Sequence, residues 1–193
     1  MKTAISGLSG CGNTTVSKRV AEALGIRVAN YTFRQLSNEL GIGFEELHEK
    51  SKTDPKYDLM LDKKLIELSG ENSVLSSRLA IWLSNADLKV WLHASLKERA
   101  RRISSRDKAP LEETLEKTKK RDKENSERYK GLYGVNIKKF VEVADLVINT
   151  ESYDEEGVAE LIVEAARNPP KKPNRKAKKF AKKIRQTIDS KLV

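Results

Sequence analysis

Short apolar runs recur along the chain, separated by longer stretches in which apolar positions return every three or four residues. The runs are Met1–Ser6, Ile26–Ala29, Ser73–Ser76, Leu88–Leu92 and Leu146–Ile148. They are three to six residues long, with little alternation of apolar and polar, as expected of strands buried on both faces. The helical stretches are residues 33–40, 44–52, 56–69, 95–106, 111–132 and 154–167. Another begins after residue 15, where Val16, Val20, Ala23 and Leu24 fall at helical spacing and Gly25 can end the helix. Asp54-Pro55 and Ala109-Pro110 mark helix starts, and Asp154 is a suitable N-cap. Strands alternating with helices predict an α/β domain built on a mostly parallel sheet covered on both faces. Two long helical excursions interrupt it, residues 33–69 and 95–137.

Asn168-Pro169-Pro170-Lys171-Lys172-Pro173 breaks the pattern. Beyond it, Ala177, Phe180, Ala181, Ile184 and Ile188 form a thin apolar stripe on a basic helix. Charge sharpens this boundary. The 193 residues carry a net charge of +10, and residues 167–193 hold eleven bases against one acid, Asp189. The remaining 27 bases and 27 acids cancel, so residues 1–166 are neutral and the basicity belongs to the tail. Such a segment can bind RNA or another polyanion by counterion release, and its stripe permits docking on an acidic membrane surface. A solubilising or disordered tail is the alternative. No apolar run approaches the ~20 residues of a membrane span. The chain enters fold-bearing sequence at once, which speaks against a signal peptide. A single cysteine, Cys11, excludes an intrachain disulfide framework, and a cytoplasmic location is expected.

The candidate chemistry begins where the first strand meets Gly7-Leu8-Ser9-Gly10-Cys11-Gly12-Asn13-Thr14-Thr15. The spacing is that of a phosphate-binding loop, G-x-x-x-x-G-K-[ST], with Asn13 at the lysine position. In such a loop the glycines let successive N–H groups converge on one spot, and the following helix aims its positive end there. Thr14 stands where a hydroxyl reaches a magnesium ion. Cys11 reads as a small tolerated residue.

With the lysine missing, arginines must carry more of the charge of a transferring phosphoryl group. Arg34 opens a helix after the second strand. Arg78 follows the third strand, at the edge where α/β sheets bind ligands. Arg99, Arg102 and Arg106 share one helix face and could meet ATP, or merely face water. Arg121, Asn125 and Arg128 share another, with Asp122 and Tyr129 on the adjacent face. A surface arginine paired with an acid is the alternative for each. His48 and His93 have no partner at metal-ligand spacing, and Trp82 and Trp91 read as core packing.

Together these stretches resemble the archaeal type of cytidylate kinase, within the nucleoside monophosphate kinases. The resemblance rests on the phosphate loop, Phe33-Arg34-Gln35, Arg78-Leu79-Ala80-Ile81-Trp82 and residues 85–92. It continues through residues 98–102, Arg121-Asp122-Lys123 with Asn125, Arg128-Tyr129 with Leu132-Tyr133-Gly134, and residues 144–150. A threonine often holds the lysine position in that family, so Asn13 departs less from this branch than from the general motif. The resemblance implies a three-layer P-loop kinase fold over residues 1–166. Within it, a monophosphate-binding part would occupy about residues 31–70 and a helical lid about 107–137. It implies phosphorylation of CMP, and of dCMP, by ATP with Mg²⁺, usually by a monomer; adenylate kinase-like activity, or a nucleotide-dependent RNA- or ribosome-associated factor, is the alternative. By resemblance Arg34 and Arg78 hold the acceptor monophosphate, Arg121 and Arg128 neutralise the transferring phosphoryl, and Arg102 and Arg106 sit near ATP. The family has Glu-Gly before the arginine that follows the third strand. Here Ser76-Ser77 replaces it, removing a carboxylate expected in magnesium handling or acceptor binding.

Overall fold

Five parallel strands, β1 (Lys2–Gly7), β2 (Arg27–Ala29), β3 (Ser73–Ser76), β4 (Leu88–His93) and β5 (Leu146–Asn149), form one sheet in the order β2-β3-β1-β4-β5. The computed structural model describes residues 1–192. The helices are α1 (Asn13–Leu24), α2 (Phe33–Leu40), α3 (Phe44–Thr53), α4 (Lys56–Leu68), α5 (Ala80–Leu83), α6 (Leu96–Asp107), α7 (Leu111–Tyr133), α8 (Glu155–Arg167) and α9 (Arg175–Lys191). A 3₁₀ segment spans Ile137–Glu142. The helices expected between β2 and β5 are found within a residue of their expected ends, and α1 starts about three residues earlier than expected, inside the phosphate loop. The four-residue α5 and the 3₁₀ segment were not anticipated, being too short to show a period.

The central strand β1 pairs Ala4 with Leu75 on one side and Ile5 with Val90 on the other. Successive side chains point to opposite faces, which divides the core in two. Ala4, Leu75 and Trp91 face a layer built from α4, α5, α7 and α9. Ile5, Val74, Val90 and Leu92 face α1 and α8. Trp82 and Trp91 are core residues, meeting edge to face at 5.8 Å, and Phe140 stacks on Trp91 at 4.6 Å. Three layers result, as the strand pattern predicts. Local chemistry sets the helix starts: Thr32 and Gln35 form a reciprocal capping box on α2, and Asp154 accepts from Gly157 N at 2.8 Å.

The basic tail forms a helix after the Pro-rich break, and that helix packs on the core. Asn174 caps α9 and donates from Nδ2 to the Glu142 carbonyl, and Lys176 pairs with Glu142. The stripe of Ala177, Ala181, Ile184 and Ile188 is buried against α4, α5 and α7. It completes the main core and is not free to enter a membrane surface. The lysines and arginines of α9 stay on its outer face, exposed to solvent. Val193, the last residue assigned to the tail, lies outside the described residues. No helix among the described residues is long and apolar enough to cross a membrane.

Candidate functional site

The C-terminal edge of the sheet opens into a cavity of about 830 Å³. Its floor is the phosphate loop, Gly7 to Thr15, every residue of which lines the cavity. Gly10 (φ 87°) and Gly12 (φ 92°) take left-handed conformations that a side chain would strain. At Gly10 a Cβ would also lie 2.7 Å from the Arg99 carbonyl oxygen. Gly12 starts α1 with no side-chain cap, and the first turn holds no acid, so its N–H groups are left to an anion.

Asn13 does not reach outward as a lysine would. Its Nδ2 donates to the Gly7 carbonyl at 2.7 Å, so the side chain staples the loop's two ends together. Thr14 is exposed toward the cavity. Cys11 is buried, and burial pushes its thiol up to about 11, which keeps it protonated and unreactive at neutral pH.

Of the six arginines to which the resemblance gives a role, five line the same cavity: Arg78, Arg102, Arg106, Arg121 and Arg128. Arg78 donates from Nη2 to Ser9 Oγ at 2.8 Å. Arg102 grips Thr150, with Nη1 to Oγ1 at 2.9 Å and Nη2 to the carbonyl at 2.6 Å, and pairs with Glu98. Arg106 is exposed at the end of α6, beside Asp107. Arg121 is exposed on α7, and Arg128 Nη1 meets Asp58 Oδ1 at 3.2 Å. Arg34 is the exception. At the second position of α2 it points to solvent, its guanidinium 4.7 Å from the Phe44 ring centre, and it does not line the cavity. The capping box fixes the turn of α2 so that Leu36 and Ser37 face inward in its place.

Arg99 departs from expectation in the opposite sense. It is 3% exposed and spans three elements, donating to the Ala94 carbonyl, the Ser9 carbonyl (3.1 Å) and Asp122 Oδ2 (2.7 Å). It ties the phosphate loop to α7 and does not face a ligand. His93 ends β4, exposed, and His48 lies on the exposed side of α3. Among the described residues no group of three His, Cys, Asp or Glu side chains converges to hold a metal.

Two carboxylates on α4, Asp58 and Asp62, line the cavity and were missed in the sequence. The available signal was their spacing, one helical turn apart on the stretch that also carries Tyr57, Leu59 and Leu65. Asp62 accepts from Tyr133 Oη at 2.7 Å. Burial pushes its carboxyl up to about 7, the Tyr133 hydroxyl opposing and nearby Asp58 adding to the rise. Burial likewise raises Asp58 and Arg128 draws it back.

A family model described as "Cytidylate kinase-like family" matches residues 3–152. The chain belongs to the cytidylate kinase-like family. It is 42% identical over 167 residues to cytidylate kinase 2 of Borreliella afzelii, covering 84% of this chain and 94% of that one. Over 162 residues it is 39% identical to the cytidylate kinase of Pyrococcus horikoshii, covering 82% and 84%. A deoxyadenosine kinase from M. mycoides with bound dATP shares the fold, with a TM-score of 0.58 at 20% identity over 86% of this chain and 100% of the other. The α/β fold on a parallel sheet that the resemblance implies is thus met by the structure and shared with that kinase.

Proposed function

We propose that this protein transfers the γ-phosphoryl group of ATP to CMP, and to dCMP, forming the diphosphate and ADP. Its family relatives are named for cytidylate phosphorylation. The observation that carries the reading is the continuity of the cavity. The phosphate loop stands at its centre, Thr150 with Tyr153 to Glu155 at one end, and Asn30 to Phe33 with Ser76 to Leu79 at the other. Donor and acceptor can therefore meet over the loop.

The loop amides and the start of α1 bind the donor's β- and γ-phosphates. Arg78, beside Ser9, holds the acceptor phosphate through its planar fork. An acceptor phosphate oxygen attacks the γ-phosphorus in line as the bond to the β,γ-bridging oxygen breaks, and that oxygen leaves with ADP. Arg121 and Arg128 supply positive charge where the migrating group spreads its own. Arg102 and Arg106 hold the donor side. The Thr14 hydroxyl, open to the cavity, suits a Mg²⁺ ion that would also be held by the phosphates and would neutralise their charge. Closure of α6 and α7 over the cavity excludes water, which would otherwise compete as acceptor.

A coupled assay of ADP formation by the full chain, with ATP, Mg²⁺ and each nucleoside monophosphate in turn, tests this. Turnover with CMP and dCMP is expected. Turnover of AMP without CMP would reassign the protein to adenylate kinase-like chemistry.

A further inference from the structure

Three buried polar atoms on residues that line the acceptor end of the cavity have no hydrogen-bond partner among the described residues: the Tyr31 hydroxyl, which can donate or accept, and the pair Asp58 Oδ2 and Asn125 Nδ2. The residues of the pair are 6% and 8% exposed. Unpartnered buried polar atoms are costly and rare, and each calls for an explanation. Of the pair, one is an acceptor and the other a donor. They stand on facing helices, Asp58 on α4 and Asn125 on α7. Arg128, three residues from Asn125 on α7, meets the other Asp58 oxygen at 3.2 Å and so ties α7 to α4. Tyr133 secures Asp62 one turn further along α4. Tyr31, Phe33, Leu61 and Leu65 line the same end and offer apolar faces to a flat ring.

We propose that Asp58 and Asn125 read the base of the acceptor nucleotide: Asp58 Oδ2 accepts from the cytosine 4-amino group and Asn125 Nδ2 donates to cytosine N3. The inference rests on the CMP reading and adds to it the residues that choose the base. Cytosine presents a donor beside an acceptor on this edge, the complement of a carboxylate beside an amide N–H. Uracil presents the reverse, an O4 acceptor beside an N3 donor, and would bring a carbonyl against the carboxylate and N–H against N–H. A site built to hydrogen-bond one pattern rejects the other strongly, because its buried groups are then left unpaired. Adenine offers the same order of groups as cytosine, so exclusion of AMP falls to the space left by the surrounding side chains. Burial raises the Asp58 carboxyl, and the Arg128 guanidinium opposes that rise by favouring the ionised form that accepts from an amino group.

Asp58→Asn in the full chain tests this, with kcat/KM measured for CMP and UMP and folding checked by the thermal shift that ATP produces. Asn can present its amide to uracil O4, so the CMP-to-UMP ratio is expected to fall at least tenfold. Asn125→Ala leaves the Asp58–Arg128 pair in place and is expected to lower the same ratio. An unchanged ratio in both variants overturns the proposal, even where the rates drop, since Asp58 would then serve only to hold Arg128. A wild-type protein that phosphorylates CMP and UMP equally overturns it while leaving the kinase reading standing. One that phosphorylates neither, although ATP stabilises it, overturns both.

Discussion

Arg99 and Arg102 differ by three positions on one helix and yet do different work. Helical spacing tells which side of α6 they occupy, not how deep each lies. Arg99, in the first turn, is under the phosphate loop, and its guanidinium meets two carbonyls and Asp122. Arg106, in the last turn, is in solvent. Breaking a buried pair on one side leaves its partner uncompensated. Arg99→Ala should therefore cost about 3 kcal/mol of folding stability, read from urea unfolding. A loss under about 0.5 kcal/mol would show that the pair contributes nothing net. Asp62 carries a second residue-scale consequence. Its folded pKa, pushed up to about 7, exceeds the ordinary carboxylate value of 3.8. The native state thus favours the protonated form. That contribution to stability is full below about pH 4 and is lost as pH rises through 7. In Asp62→Asn the thermal midpoint should lose this fall between pH 4 and 7, and the variant should equal or exceed the wild type at pH 8. A midpoint that falls with pH as in the wild type would assign the dependence to another group. The loop itself was legible from spacing alone, including Thr14. The pairing of Asn13 with Gly7, and the inward turn of Arg99, were not, because both depend on backbone positions that no periodicity encodes.

Among the elements, α9 shows how far a pattern carries and where it stops. The Asn-Pro-Pro break and the stripe of Ala177, Ala181, Ile184 and Ile188 identify a helix and its apolar face. What covers that face depends on a groove between α4, α5 and α7, whose walls all lie more than forty residues before α9 in the chain. The basic composition drew attention to solvent and away from the core. Ile184 is fully buried there, so Ile184→Ala should destabilise the protein by roughly 2–5 kcal/mol, as other large-to-small core changes do. Termination after Asn168 should give a chain that no longer unfolds cooperatively, because it uncovers the main core. A truncated chain with the thermal midpoint of the full one would restore α9 to the status of an appendage. The phosphate loop is the opposite case, an element whose sequence and shape agree. Gly10→Ala meets both a left-handed φ and the Arg99 carbonyl 2.7 Å away. It should abolish the stabilisation that ATP confers, measured as a thermal shift, while an ordinary surface alanine in α3 leaves it intact.

On the scale of the whole molecule, the strand order decides how the cavity is divided. Placing β1 at the centre, with β3 and β2 to one side and β4 and β5 to the other, sets the phosphate loop at the midpoint of the sheet edge. Residues from the β2–β3 side then close one end and residues after β5 the other. Two nucleotides entering from opposite ends would meet phosphate to phosphate above the loop, ringed by Arg78, Arg102, Arg121 and Arg128. A single compound with cytidine and adenosine joined 5′ to 5′ through five phosphates should fill both ends at once. Joining the two ligands spares the second one its association entropy, so the compound should bind at least tenfold tighter than either ATP or CMP. It should also compete with both. Isothermal titration, with saturating ATP and then saturating CMP as competitors, measures this. Competition by ATP alone would mean that the acceptor lies outside the cavity, and the division of the sheet edge into donor and acceptor ends would have to be abandoned.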